Sequence, residues 1–226
     1  MSNWYIFRQI SHQTQTSSKK RDKIFYIMSA VLLIVFGSWL IFRLLGTQDT
    51  NDVTEIKSDA RNHLPDSFSP SVLYWESDIF SWAETWSLDP TLVATIMQIE
   101  SCGDPFAISS AGAQGLFQVM PFHFAPGEDM LDPQTNAQRG LAFLSDSFYK
   151  SQENIQLTLA GYNGGLTQID QPEWAWPEET QRYALWGTGI YQDSYAGDED
   201  KPTLNAWLDA GGWSLCQQAE KNLGIH

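Results

Sequence analysis

The sequence predicts a mainly helical, compact domain carried behind an N-terminal transmembrane helix, and three observations lead there. From Val72 onward apolar residues recur at helical spacing between capping and breaker residues, with no long alternating strand pattern and no internal repeat. Upstream, Ile24 to Phe42 is a run of 19 residues without a charge, long enough to cross a hydrocarbon core of ~30 Å. Arg8, Lys19, Lys20, Arg21 and Lys23 precede that run, which places the N-terminus in the cytoplasm and exports the rest. The long stretch before the run, and the lack of an A-x-A-like site after Leu44-Leu45-Gly46, favour an uncleaved anchor over a signal peptide. The expected organisation is a cytoplasmic tail over 1–23, an anchor over 24–45, a polar flexible stalk over 46–70 and a folded domain over 71–226. A coil-like stalk of that length reaches roughly 25–30 Å.

Charge divides at the anchor. Residues 1–46 hold six Lys/Arg against one Asp, net +5, while the remainder holds seven Lys/Arg against 26 Asp/Glu, net −19. An exported part this acidic lacks the basic footprint that nucleic-acid binding demands. Its acid excess is accounted for by solubility. The run Asp198-Glu199-Asp200 lacks the ligand spacing of a calcium loop, and only His123 and His226 stand in the folded domain, so no metal site is expected. Cys102 and Cys216 both fall in the exported part. An oxidising location permits a disulfide between them, with two free thiols as the alternative.

The helices follow in order. Leu73, Trp75, Ile79, Phe80, Ala83 and Trp86 form the inward face of a first helix. Asp89 suits the N-cap of a second and Pro90 its first position, where a missing N–H costs nothing. After a Gly/Ser/Ala-rich loop and the short run Leu116 to Met120, a third helix opens at Asp132-Pro133 and passes through Leu141, Phe143, Leu144 and Phe148. Ile155 to Tyr162 makes a fourth, ended by Asn163-Gly164-Gly165. Glu178 to Tyr191 makes a fifth, and Ala206 to Leu223 adds one more. Trp75, Trp82, Trp86 and Trp186 read as core, whereas Trp174 and Trp176 sit in a loop from which they could line a cleft.

Glu100 is the residue that points to chemistry. The apolar stripe Leu92, Val93, Ile96, Met97 of the second helix continues at position 100, so the carboxyl group faces inward at the helix C-terminus. Apolar walls and the negative end of the helix dipole both disfavour its charged form. A carboxyl that holds a proton near neutral pH is what a general acid for glycosidic-bond cleavage needs. A structural acid capping nearby backbone is the alternative reading of this helix taken alone.

Further segments surround it in order: Glu100-Ser101, then Gly115-Leu116-Phe117-Gln118-Val119-Met120-Pro121, then Ala160-Gly161-Tyr162-Asn163-Gly164, then Glu179-Thr180-Gln181-Arg182-Tyr183. Together with Asp132-Pro133…Asn136…Gly140-Leu141-Ala142-Phe143-Leu144, this arrangement resembles the SLT family of lytic transglycosylases, goose-lysozyme-like enzymes that cut peptidoglycan glycan strands. The resemblance covers roughly Leu88 to Tyr191, with Phe117 where Met is common and Gly161 where Ala is usual. It implies a lysozyme-like fold of the α+β superfamily, Glu100 as catalytic acid and base, and Ser101 as a hydroxyl orienting that carboxylate or the substrate N-acetyl group. It further implies Gln118 and Met120 as groove residues, Tyr162 and Asn163 as cleft floor and wall, and Tyr183 as a phenol bonded to the carboxylate. No cofactor is implied, and the expected partner is the peptidoglycan strand outside a bacterial cell membrane that the anchor spans once.

Glycosidases ordinarily use two carboxylates. Between Gly103 and Pro121 the only acid is Asp104, in an Asp-Pro turn that suits local hydrogen bonding. A single acid suffices if the substrate supplies its own nucleophile, which favours a transglycosylase over its nearest rival, a goose-type muramidase using water. A Cys-His peptidase built on Cys102 and His123 lacks any surrounding segment of that type. A non-catalytic glycan-binding scaffold is the rival from another class, against which the intact Glu100, Gln118, Tyr162 and Tyr183 argue.

Overall fold

The computed structural model describes residues 63–196 and 201–225. The expected anchor and most of the expected stalk lie outside them, and among the described residues no helix is long and apolar enough to cross a membrane. Among the described residues eight α-helices follow one another: α1 Pro70–Leu73, α2 Glu76–Trp86, α3 Pro90–Glu100, α4 Pro133–Lys150, α5 Ile155–Gly164, α6 Glu178–Ala196, α7 Pro202–Trp207 and α8 Trp213–Leu223. The fold is mainly helical as expected. Its β component among the described residues is reduced to two isolated antiparallel bridges, Ile108 with Gln114 and Gln114 with Val119.

The centre of the domain is α3. Its N-terminus is set by Asp89, whose carboxylate accepts the Thr91 N–H at 2.8 Å, with Pro90 in the first turn. Every residue from Thr91 to Gln98 is buried, so the helix is enclosed on all sides rather than amphipathic. Helices α1, α2 and α6 pack around it, while α5 lies between α4 and α6. Two polar side chains inside this core are satisfied. Thr95 Oγ1 donates to the Thr91 carbonyl at 2.8 Å, and Gln98 accepts the Ser69 N–H at 3.0 Å and donates to Ser69 Oγ at 2.9 Å.

Three local expectations change. The first predicted helix is broken at Tyr74-Trp75 into α1 and α2, and Trp75 turns its Nε1–H onto the Gly103 carbonyl at 2.9 Å. The predicted stalk ends too late: Leu64 and Phe68 are buried in the core, so the packed chain starts before Pro70. Polar neighbours had masked these two apolar residues. The C-terminal stretch is two helices rather than one, with a kink at Gly211, whose φ of 131° an L side chain rarely adopts.

Cys102 and Cys216 form a disulfide across a sequence separation of 114. It fastens α8 to the chain two residues beyond Glu100, where Asn222 also donates to Asp104 at 2.8 Å. Cross-linking ends this far apart removes much loop entropy from the unfolded chain. Replacing both cysteines with Ala is expected to lower the unfolding free energy by roughly 2–5 kcal/mol, read from urea titrations. Stability equal to that of the unreduced parent would overturn this role.

Candidate active site

Glu100 ends α3 at the floor of a cleft of about 520 Å³. The loop from Ser109 to Met120 and the 3₁₀ turn Pro121–His123 form one side, and α4 contributes Arg139, Gly140 and Phe143. The end of α5, from Tyr162 to Gly165, and Glu179 at the start of α6 complete the lining.

The carboxyl group is surrounded by protein although the residue is partly open to the cleft. Loss of hydration raises its pKa, the 2.7 Å hydrogen bond donated by the Tyr183 hydroxyl lowers it, and the negative charge of Glu179 raises it again. The outcome is a pKa pushed up to about 8. Burial also pushes the phenols of Tyr162 and Tyr183 well above their usual range, and the charge of Glu100 adds to this. Both therefore stay neutral hydrogen-bond donors around the acid.

The loop carrying Gln118 is held from several sides. Asn136 of α4, fully buried, accepts the Phe117 N–H at 2.9 Å and donates to the carbonyls of Gln114 at 2.7 Å and Met130 at 2.9 Å. Gly140 has no Cβ because one would stand 2.6 Å from Phe117 Cβ. The absence of a side chain there lets α4 close directly on the loop. Tyr162 donates its hydroxyl to the Phe117 carbonyl at 2.8 Å. Gln118 itself sits at φ 45°, a strained value for a side-chain-bearing residue. Its Nε2 donates to the carbonyls of Ala107 at 3.2 Å and Gly115 at 3.0 Å, which leaves Oε1 as the acceptor available to a ligand.

The structure thus brings Glu100, Gln118, Met120, Tyr162 and Asn163 together on one cleft, with Tyr183 bonded to the acid from behind. Asn163 accepts from Thr180 Oγ1 at 2.9 Å, which ties α5 to α6. Ser101 stands apart from this group. It is fully buried, donates to the Leu116 carbonyl at 2.8 Å and accepts the Gly103 N–H at 3.1 Å, so its hydroxyl braces the loop and reaches neither the carboxylate nor the cleft. The loop tryptophans are not cleft residues either. Trp176 is buried, donating to the Gln168 carbonyl at 2.9 Å, while Trp174 is exposed outside the lining.

Sequence reasoning missed Glu179, Arg139, His123, Phe122 and Phe143 as cleft residues. On its helix Phe143 stands between Leu141 and Leu144, and nothing in that local pattern marks it as a cleft residue. Glu179 is far from Glu100 in the chain, and only the fold brings it to the same cleft. Among the described residues no cluster of His, Cys, Asp or Glu suits a metal ion.

The chain is similar to known proteins over the part that carries this cleft. The family model "Transglycosylase SLT domain" matches residues 77–182. A transglycosylase of Enterobacteria phage PRD1 is 32% identical over 116 residues, covering 49% of this chain and 40% of that protein. Membrane-bound lytic murein transglycosylase C of Pectobacterium atrosepticum is 28% identical over 109 residues, covering 38% of this chain and 30% of that one. The chain therefore spans less than half the length of these relatives. The 70 kDa soluble lytic transglycosylase of Escherichia coli aligns with a TM-score of 0.44 at 25% identity, over 57% of this chain and 25% of that one. Over residues 77–182 this chain is similar to the transglycosylase SLT family.

Proposed function

We propose that this protein is a peptidoglycan lytic transglycosylase that cuts the β-1,4 bond between N-acetylmuramic acid and N-acetylglucosamine and leaves a 1,6-anhydromuramoyl end. The observation that carries the reading is a carboxyl group whose pKa is pushed up to about 8 at the floor of an open cleft inside an SLT domain. At neutral pH Glu100 holds its proton and gives it to the linking oxygen as the bond from C1 to that oxygen breaks. The carboxylate so formed then takes the proton of the muramoyl 6-hydroxyl while O6 bonds to C1. Glu100 ends protonated as it began, and no water is consumed. Tyr183 stabilises the transient carboxylate through its 2.7 Å bond, and Gln118 Oε1 accepts a hydrogen bond from the sugar.

A muramidase reading is kept by one observation. Glu179 supplies the cleft with a second, exposed carboxylate, which in a hydrolase would activate water. Location belongs to the proposal as well. The uncharged run Ile24 to Phe42 would anchor the chain in a bacterial cell membrane, with the domain in the oxidising space outside that suits the Cys102–Cys216 bond. A relative named as membrane-bound supports the same placement.

Product analysis decides the chemistry. Mass spectrometry of digested sacculi is expected to show anhydro ends with the parent protein and no cleavage with Glu100→Gln. Hydrated reducing ends would establish the muramidase instead. The pH profile adds a second check. Since the first step needs the proton on Glu100, kcat/KM should fall as pH rises through about 8. Tyr183→Phe removes a bond that favours the carboxylate, so this alkaline limb should move to higher pH; an unmoved limb contradicts the assigned contact.

Stability also falls as pH rises, over the window between the two pKa values. The folded-state pKa lies above the ordinary 4.5, so the folded protein keeps a proton that the unfolded chain has lost. Parent stability should decline from about pH 4.5 to about 8 for this group. Glu100→Gln should remove that decline, melting with the parent at pH 4 and above it at pH 8. Thermal unfolding at the two pH values tests this, and equal melting temperatures at pH 8 would refute the burial penalty.

A further inference from the structure

Arg139 is the only Lys or Arg among the described residues lining the cleft. The chain around it carries a net charge of −14, and the same cleft holds Glu100 and Glu179. An arginine in such surroundings is expected to be spent on a neighbouring acid, and in part it is. Glu128 accepts from Nε at 2.9 Å and from Nη2, while its Oε2 is itself held by the Ala125 N–H at 2.9 Å. This pairing occupies two of the five N–H donors of the guanidinium. Nη1 and the second hydrogen of Nη2 have no partner among the described residues, and the side chain is 32% exposed. Glu128 thus fixes one edge of a planar cation whose other edge is free for a ligand.

The neighbourhood adds a second kind of recognition. Phe143 follows Arg139 by one helical turn on α4 and also lines the cleft. Its ring centroid is 5.4 Å from that of His123 and 5.9 Å from that of Tyr162, and His123 lies 4.5 Å from the exposed ring of Phe122. A string of rings therefore runs from the floor beside Glu100 to the rim, suited to the apolar faces of sugar rings, with one cation beside it. Along a peptidoglycan strand every second sugar carries a lactyl group whose carboxyl is amide-linked to a peptide stem. The stem bears carboxylate, the lactyl group bears it where the stem has been removed, and the sugar between carries none.

We propose that Arg139 binds a carboxylate borne by the muramoyl residue, and so sets which of the two alternating sugars stands over Glu100. This rests on the glycan-strand reading of the cleft. In a protein this acidic an anionic polymer is otherwise repelled, so one oriented cation fixes register as well as affinity.

The experiment compares strands with free carboxylates against strands whose carboxylates have been converted to methylamides with carbodiimide and methylamine. The parent is expected to show a KM about tenfold higher on the amidated strands, the size of one charge-assisted hydrogen bond. Arg139→Gln should show that raised KM on both substrates, and so lose the preference. Glu128→Gln keeps the cation and should keep the preference. An Arg139→Gln protein that retains the preference overturns the proposal, and so does equal loss in both variants, which would make the ion pair a structural brace. Strands stripped of peptide by an amidase lose the stem carboxylates and expose the lactyl carboxylate instead. A preference lost by Arg139→Gln on these assigns the contact to that group, and one lost only on intact strands assigns it to the stem. Failure of the parent to cleave any of the strands would instead remove the underlying reading of function.

Discussion

How little water reaches the Glu100 carboxyl is set by α3, a helix with no side turned to solvent until its last turn. From Thr91 to Gln98 each residue is buried, and after that run the helix opens partly at its last two residues, Ile99 and the acid itself. The protein thereby places a carboxyl where its neutral form is favoured, and relieves only part of that pressure with the Tyr183 hydroxyl. Other cleft features serve the same end. The Gln118 loop is strained, yet five groups hold it: Asn136, the Ser101 hydroxyl, the Tyr162 hydroxyl, its own amide contacts and the bare face of α4 at Gly140.

Much of this could be read from the chain. The Asp89-Pro90 start of α3, the Asp132-Pro133 start of α4 and the glycine stop after α5 are written in local chemistry that tertiary contacts reinforce. Glu100 was visible because its position broke a pattern. What escaped notice depended on which helices meet. Arg139 and Glu179 are ordinary surface charges on their own elements, and only the approach of α4 and α6 to the end of α3 makes them cleft residues. Leu64 and Phe68 escaped because two apolar residues four apart among polar ones carry no period. Ser101 failed in the opposite sense. The family resemblance implies a task for its hydroxyl at the acid, but in the structure that hydroxyl turns into the protein, onto the Leu116 carbonyl and the Gly103 N–H.

The second carboxylate changes how the cleft is understood. A count of acids close to Glu100 in the chain left it alone and favoured a mechanism in which one group acts twice. With Glu179 also on the lining, that economy is no longer dictated by composition. Its negative charge still serves a single-acid mechanism, because it holds the proton on Glu100 more firmly. Two similar residues are thus assigned different parts by their surroundings, one enclosed and one exposed.

The bond between Cys102 and Cys216 has a consequence in time. The acid and its helix are made first, but the cysteine that secures the segment just beyond them follows Cys102 by 114 residues. Synthesis runs from the N-terminus, so the cleft has its covalent fastening only after the chain through Cys216 of α8 exists and has met an oxidant. A chain interrupted before Cys216 would carry every cleft residue named above and lack the bolt beside Glu100. The order of the two cysteines along the chain therefore ties the locking of the site to the arrival of α8.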